Sequence, residues 1–281
     1  MTLSPRGLRR FLIAFLFLTT ALHAGDFVKI DEDATHVRLQ TAITRYQKNG
    51  VTVDLIGAIH IADASYYASL NQRFTRYDAL LYEMIGGENI AARLAAKDKS
   101  PAKPKKTGKL DGLHSLYDSS CELLQLTSQA DEKHGIDYRA KNFVHADLTL
   151  DQFETRQAER KESIVTFFLL SALNQKDAKP PNTIRLTRAI LTKNPDLAKR
   201  EFMKTLGGSE DQIACFTGEN VIISDRNARC IEVLKTQLSS GKRRLAIFYG
   251  AAHFPDMEKR LLDLGFQRTT QEWLTAWEAK K

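Results

Sequence analysis

The sequence predicts an α/β protein: a mixed, mostly parallel sheet built from the two ends of the chain, flanked by helices, with a helical block inserted in the middle. Three observations carry this. The N-terminal third reads strand, helix, strand, the pattern of a parallel unit. Near the other end, Arg244-Leu-Ala-Ile-Phe-Tyr249 is an apolar run of strand length followed by a helical pattern. Between them, residues 113–240 show mostly helical spacing.

The elements follow in order. His36–Gln47 alternates as a half-buried strand does and runs into Lys48-Asn49-Gly50, a hairpin turn signal. Val51-Thr-Val-Asp-Leu-Ile56 is the next strand, rich in β-branched residues, and closes on Gly57-Ala-Ile-His60. Ala64–Tyr77 has apolar residues at 66, 67, 70, 74 and 77, a helical period. Asp78–Glu83 is a short buried strand, expected beside the Gly57 strand. Residues 94–110 carry two prolines and a lysine run and read as a solvated loop. Helices are expected over Leu113–Ala130, Thr149–Leu173, Thr183–Leu206 with a break near Pro195, and Asn220–Leu238. A short strand falls at Asn142–His145. A last helix covers Pro255–Leu264, and Phe266–Trp277 ends the chain, with no element assigned to it.

Composition narrows the function classes. The chain has 281 residues, 43% hydrophobic and 27% charged, which excludes collagen-like, mucin-like and wholly disordered architectures. The length fits a single α/β domain over residues 25–281. The net charge of +7 is concentrated in two places. Arg6, Arg9 and Arg10 lie at the N-terminus, and six lysines with one aspartate lie within residues 97–109. The remainder is close to neutral, so no nucleic-acid footprint is visible. The three arginines precede an apolar run at 11–22 and small residues at Ala24-Gly25. This is the layout of a secretory signal over residues 1–24, and the run is too short to span a bilayer. Export to the periplasm or outside the cell is expected, with no membrane-spanning segment in the mature protein. Of three cysteines, Cys215 and Cys230 are spaced to permit one bridge with Cys121 as the odd thiol; three buried thiols is the other reading.

The two ends of the sequence share one layout. Asp54-Leu-Ile-Gly57-Ala-Ile-His60 and Phe248-Tyr-Gly250-Ala-Ala-His253 each run apolar strand, Gly, two small or apolar residues, then His. Glycine at a strand end lets the backbone turn sharply, so each His falls at the mouth of the sheet, where open α/β sheets bind ligands. Two imidazoles need a carboxylate to hold a hydrolytic ion well. Glu83 closes a strand of apolar residues and reaches the same edge. Asp63 and Asp147 follow His60 and His145 closely but also fit as helix caps. Arg226 lies on the helix before the second His, suited to an oxyanion or a substrate carboxylate, or to a surface pair with Asp225 or Glu232.

In these residues the chain resembles the TraB/GumN/TIKI family: paired Gly-x-x-His motifs, a Glu after the second strand, and Arg226-Asn227 before the second motif. The resemblance covers most of the chain after the leader. It implies a fold related to the erythromycin-esterase-like and haem-binding ChaN-like proteins. It also implies a divalent-metal site at His60, Glu83 and His253 with Arg226 nearby, since some members are similar to metal-dependent proteases using Mn or Co. The resulting expectation is an exported hydrolase with Mn, Co or Zn and a peptide or small-molecule substrate. In it Glu83 is ligand or general base, and Arg226 stabilises the oxyanion. The alternative is a non-catalytic protein that binds haem or a peptide signal in the same cleft.

Overall fold

The computed structural model describes residues 27–99, 119–162, 182–206 and 220–281. The expected leader, most of the lysine-rich stretch, Cys215 and the part of the expected Thr149–Leu173 helix beyond residue 162 lie outside the described residues.

A seven-stranded mixed sheet flanked by helices organises the chain. Strand β1 (Val28–Glu32) and the 13-residue β2 (His36–Lys48) are antiparallel. A two-residue turn at Asn49 and Gly50, with φ of 48° and 74°, then leads into β3 (Val51–Ala58). Both turn residues are left-handed, the geometry that matches strand twist and that Asn-Gly adopts at least cost. One edge of β2 carries β1 and then β3; the other carries β9 (Gln267–Lys280) along nearly its whole length. Neither β1 nor β9 is marked by its sequence alone. β9 buries only Ala276, Trp277 and Ala279, so its apolar signal is confined to one end.

The remaining sheet is parallel. β3 pairs with β8 (Arg244–Gly250), β8 with β5 (Ala79–Tyr82), and β5 with β7 (Phe143–His145). Four strands therefore end at one edge, and His60, Glu83, Asp147 and His253 follow those strand ends. This order corrects one expectation: the Ala79–Tyr82 strand is not beside the Gly57 strand, because β8 lies between them. Residues 245–250 of β8 are buried throughout, and a strand apolar on both faces is most stable at the centre of a sheet. The two-residue β4 (Ile61–Ala62) and β6 (Thr127–Ser128) form a separate ribbon.

Helices cover the sheet. Between β3 and β5 runs α1 (Ala64–Phe74), burying Tyr66, Tyr67, Leu70 and Phe74. Then come α2 (Ile90–Lys99), α3 (Leu150–Arg160), α4 (Thr183–Leu191) and α5 (Pro195–Leu206). The last two, α6 (Arg226–Ser239) and α7 (Phe254–Asp263), flank β8 in sequence. The break between α4 and α5 stands where Pro195 predicts it. Three expectations are corrected. Residues 94–99 are helical rather than loop, because alanines and leucine in 91–96 favour a helix. The 113–130 helix does not extend past residue 124 among the described residues: Gln125 is left-handed (φ 49°) and Thr127–Ser128 joins the ribbon. The helix from Thr149 has its expected start, a reciprocal Thr149–Gln152 cap, but ends at Arg160 on a left-handed Lys161.

Among the described residues no helix is long and apolar enough to cross a membrane. Cys230 is a free thiol, fully buried on α6.

Candidate functional site

Each site residue follows a strand end or opens a helix. His60 comes two residues after β3, Glu83 directly after β5, and Asp147 two residues after β7. His253 closes a single 3-10 turn, Ala251–His253, after β8. Arg226 and Asn227 open α6 and are held there by a widened π-helical turn over Val221–Asp225. That turn is pinned from outside: the Val221 N–H donates to Glu162 Oε2 at 2.9 Å, and Arg160 donates to both oxygens of Asp225 at 2.9 and 3.0 Å. The extra backbone of a π-turn shifts where the next side chains point, and such turns recur at functional sites.

Arg226 is the hub. Its Nε and Nη2 donate to the two oxygens of Asp147 at 2.9 and 2.6 Å, a bidentate fork. Nη2 also donates to Glu83 Oε1 at 2.7 Å. Nη1 is held more loosely, 3.4 Å from the Ile222 carbonyl and 3.5 Å from His253 Nε2. The reading of Arg226 as a surface residue paired with Asp225 or Glu232 is overturned. Asp225 pairs with Arg160 and Arg156, Glu232 with Arg229, and Arg226 is buried.

The other oxygen of Glu83, Oε2, accepts the Gly250 N–H at 2.5 Å. Burial alone pushes the Glu83 carboxyl up. Arg226, helped by His253 and His60, outweighs it and holds the group well below its ordinary value, so Glu83 is ionised at neutral pH. Burial works against the Arg226 charge too, and Asp147 and Glu83 more than offset that.

His253 Nδ1 lies 2.6 Å from Asn227 Oδ1, while Nε2 lies 3.6 Å from Glu83 Oε1. Tyr249 packs edge-on against the ring, with centroids 5.1 Å apart. His60 is half-buried at the margin of the same site. Its Nδ1 is 3.2 Å from Gln129 Oε1, its carbonyl accepts the Gln129 N–H, and its ring acts on Glu83 electrostatically. The structure thus brings Glu83, Arg226 and His253 into one cluster and places His60 beside it.

Asp147 proves to be the main carboxylate partner of Arg226, not a helix cap. Its position after a short strand, like that of Glu83, is the signal that marks it. Asn227 enters the sequence reading only as part of the Arg226-Asn227 pair, with no role of its own, and Gln129, which contacts the other imidazole, carries no sequence signal. Asp63 does not cap α1 with its side chain; it accepts from Lys199 at 2.7 Å and from the Glu278 N–H at 2.8 Å.

The donor types, two imidazoles each with a carboxamide oxygen at Nδ1 and an ionised carboxylate, are those that catalytic rather than structural metal sites use. Among the described residues, no three His, Cys, Asp or Glu side chains are spaced to hold an ion as they stand. Comparison with protein-family models, curated proteins and solved structures finds no match.

Proposed function

We propose that the protein is an exported, divalent-metal-dependent hydrolase of the TraB/GumN/TIKI type, acting on peptides or related small molecules. The observation that supports it best is His253 Nε2, held in the site by Asn227 and facing an ionised Glu83 across 3.6 Å, with a permanent cation alongside. His60, Glu83 and His253 are the residues that would hold Mn, Co or Zn. When bound, such an ion supplies Lewis acidity and a water acidified to near neutrality.

The chain's own residues account for the rest of the chemistry. Glu83, kept ionised by Arg226, serves as ligand or as the base that accepts a proton from the attacking water. Arg226 is oriented by the Asp147 fork, and its loosely engaged Nη1 is the donor available to a developing oxyanion. Asn227 orients His253, and Tyr249 backs the ring.

The test is hydrolysis of a peptide library by chelated protein before and after Mn, Co or Zn is restored. Turnover should appear only with the ion and vanish in His60→Ala and His253→Ala. Hydrolysis unaffected by chelation would remove the ion from the reading. No hydrolysis with any ion, together with a haem Soret shift lost in either His variant, would replace it with the binding-protein alternative.

A further inference from the structure

We propose that Asn227 is a positioning residue that keeps a hydrogen on His253 Nδ1, so that the neutral ring exists in one tautomer, with its Nε2 lone pair open to Arg226 Nη1. The inference rests on the reading that His253 belongs to the functional site, and it adds a residue to that reading.

The argument is one of hydrogen-bond accounting. Asn227 is fully buried, so each polar atom of its amide must find a partner inside the protein. Its Nδ2 donates to the His253 carbonyl at 3.0 Å and to Asp256 Oδ2 at 2.8 Å. A carbonyl oxygen and a carboxylate oxygen can only accept. The amide orientation is therefore settled by its surroundings: the reverse orientation would turn the amide oxygen onto two acceptors in a dry interior, a large penalty. With Nδ2 so placed, Oδ1 faces His253 Nδ1 at 2.6 Å, and an amide oxygen cannot donate. Nδ1 must carry the hydrogen, and in the neutral ring Nε2 must then be the acceptor.

Asp256 is itself anchored, since its Oδ2 also accepts from Arg260 Nε at 2.6 Å, so the fixed chain runs from Arg260 through Asp256 and Asn227 to His253. The other imidazole differs. Gln129 Nε2 lies against the Tyr138 hydroxyl, which can donate or accept, so the same reasoning leaves His60 undetermined. The two histidines of the paired motifs are therefore chemically unequal: one is committed as an Nε2 acceptor, the other is not.

The sequence places this device economically. Arg226 and Asn227 are consecutive at the start of α6, so their side chains leave the helix about 100° apart. One reaches the carboxylates and the other the imidazole, and a single backbone position sets both.

Long-range proton–nitrogen correlation spectra of histidine-labelled protein, recorded at rising pH until the ring is neutral, report the tautomer directly, with the His253 signal assigned by its loss in His253→Gln. The wild type should show the Nδ1–H form alone. A spectrum showing the Nε2–H form, or an even mixture, overturns the inference whether or not any ion binds. Asn227→Leu keeps the volume and removes the acceptor. It should give a mixed tautomer and weaken Co(II) binding by about 10- to 100-fold, with unchanged far-ultraviolet circular dichroism. A retained Nδ1–H tautomer in a folded Asn227→Leu protein overturns the role of Asn227. Should that variant fail to fold, the wild-type spectrum still decides. A wild type with the Nδ1–H tautomer but no affinity for Co(II), Mn(II) or Zn(II) supports the lock while removing the metal centre, so the two readings fail separately.

Discussion

The Gly250 N–H donates to Glu83 Oε2 at 2.5 Å, joining the ends of β8 and β5 across the mouth of the sheet. This contact explains the glycine of the second Gly-x-x-His motif in spatial terms. Gly250 has φ −51° and ψ 131°, open to any residue, so conformation does not demand glycine. Space does: a Cβ there would stand 3.3 Å from Glu83 Oε2, and Arg226 limits how far the carboxylate can retreat. Gly250→Ala should therefore destabilise the fold by about 1 kcal/mol while displacing Glu83, so that Co(II) affinity falls further than the urea midpoint does. Wild-type affinity in this variant would show that the Glu83–Gly250 contact does not shape the site.

Arg226 supplies the charge that makes two buried carboxylates tolerable. In Arg226→Met both Glu83 and Asp147 lose their cation, and stability should fall by about 3–5 kcal/mol in urea unfolding. Arg226→Lys keeps the charge but not the fork to Asp147, and should recover only part of that loss. Adding Asp147→Asn to Arg226→Met should restore part of that loss, because an amide costs less than an unpaired carboxylate in the same place, while Glu83 stays without its cation. Near-wild-type stability in Arg226→Met would mean that the carboxylates find water or another partner.

Acid should expose the same linkage. The folded Glu83 carboxyl sits well below its ordinary value of 4.5, so the fold binds its proton less readily than the unfolded chain does. Its contribution is fully present above that value and drains away as pH falls through the lower folded value. Asp33 and Asp78 are also depressed, Asp78 to about 2, so the informative measurement compares variants rather than one curve. Below about pH 4.5 the wild type should lose stability more steeply than Glu83→Gln, by up to about 1.4 kcal/mol per pH unit. Parallel acid limbs would indicate that Glu83 titrates alike in both states.

How much of this was legible in the sequence depended on whether the controlling physics was local. The Asn49-Gly50 turn, the Pro195 break and the glycines ending β3 and β8 are local, and the sequence shows them directly. The parallel strands are legible one by one, but an apolar run such as Leu245–Tyr249 does not say which strands flank it. The position of β8 between β3 and β5 was therefore missed, and with it the Gly250–Glu83 contact. The ends of helices at Gln125 and Lys161 escaped because left-handed residues other than glycine leave no compositional mark. In the site, Glu83, His253 and Arg226 stand out by spacing. Asp147 is 79 positions from the guanidinium it binds, and only the assembled sheet edge reveals the pair.

Cys230 offers a test of the packing behind the site. It lies on the buried side of α6, wholly inaccessible, where burial pushes its thiol far above the ordinary range and a hydrogen bond with Tyr249 offsets only part of that. Tyr249 in turn donates to the Ala146 carbonyl at 2.6 Å and backs His253, so the thiol sits directly behind the cluster. Only a thiolate attacks an alkylating reagent, and a buried neutral thiol must first be exposed by opening. Native protein treated with iodoacetamide near about pH 8 should leave Cys230 unmodified, while the same reagent in urea should label it fully. Peptide mass spectrometry without reductant separates Cys121, Cys215 and Cys230 in one digest. Labelling of Cys230 in the native state at the unfolded rate, or its recovery in a disulfide with Cys215, would contradict the burial of the Cys230 thiol beside Tyr249.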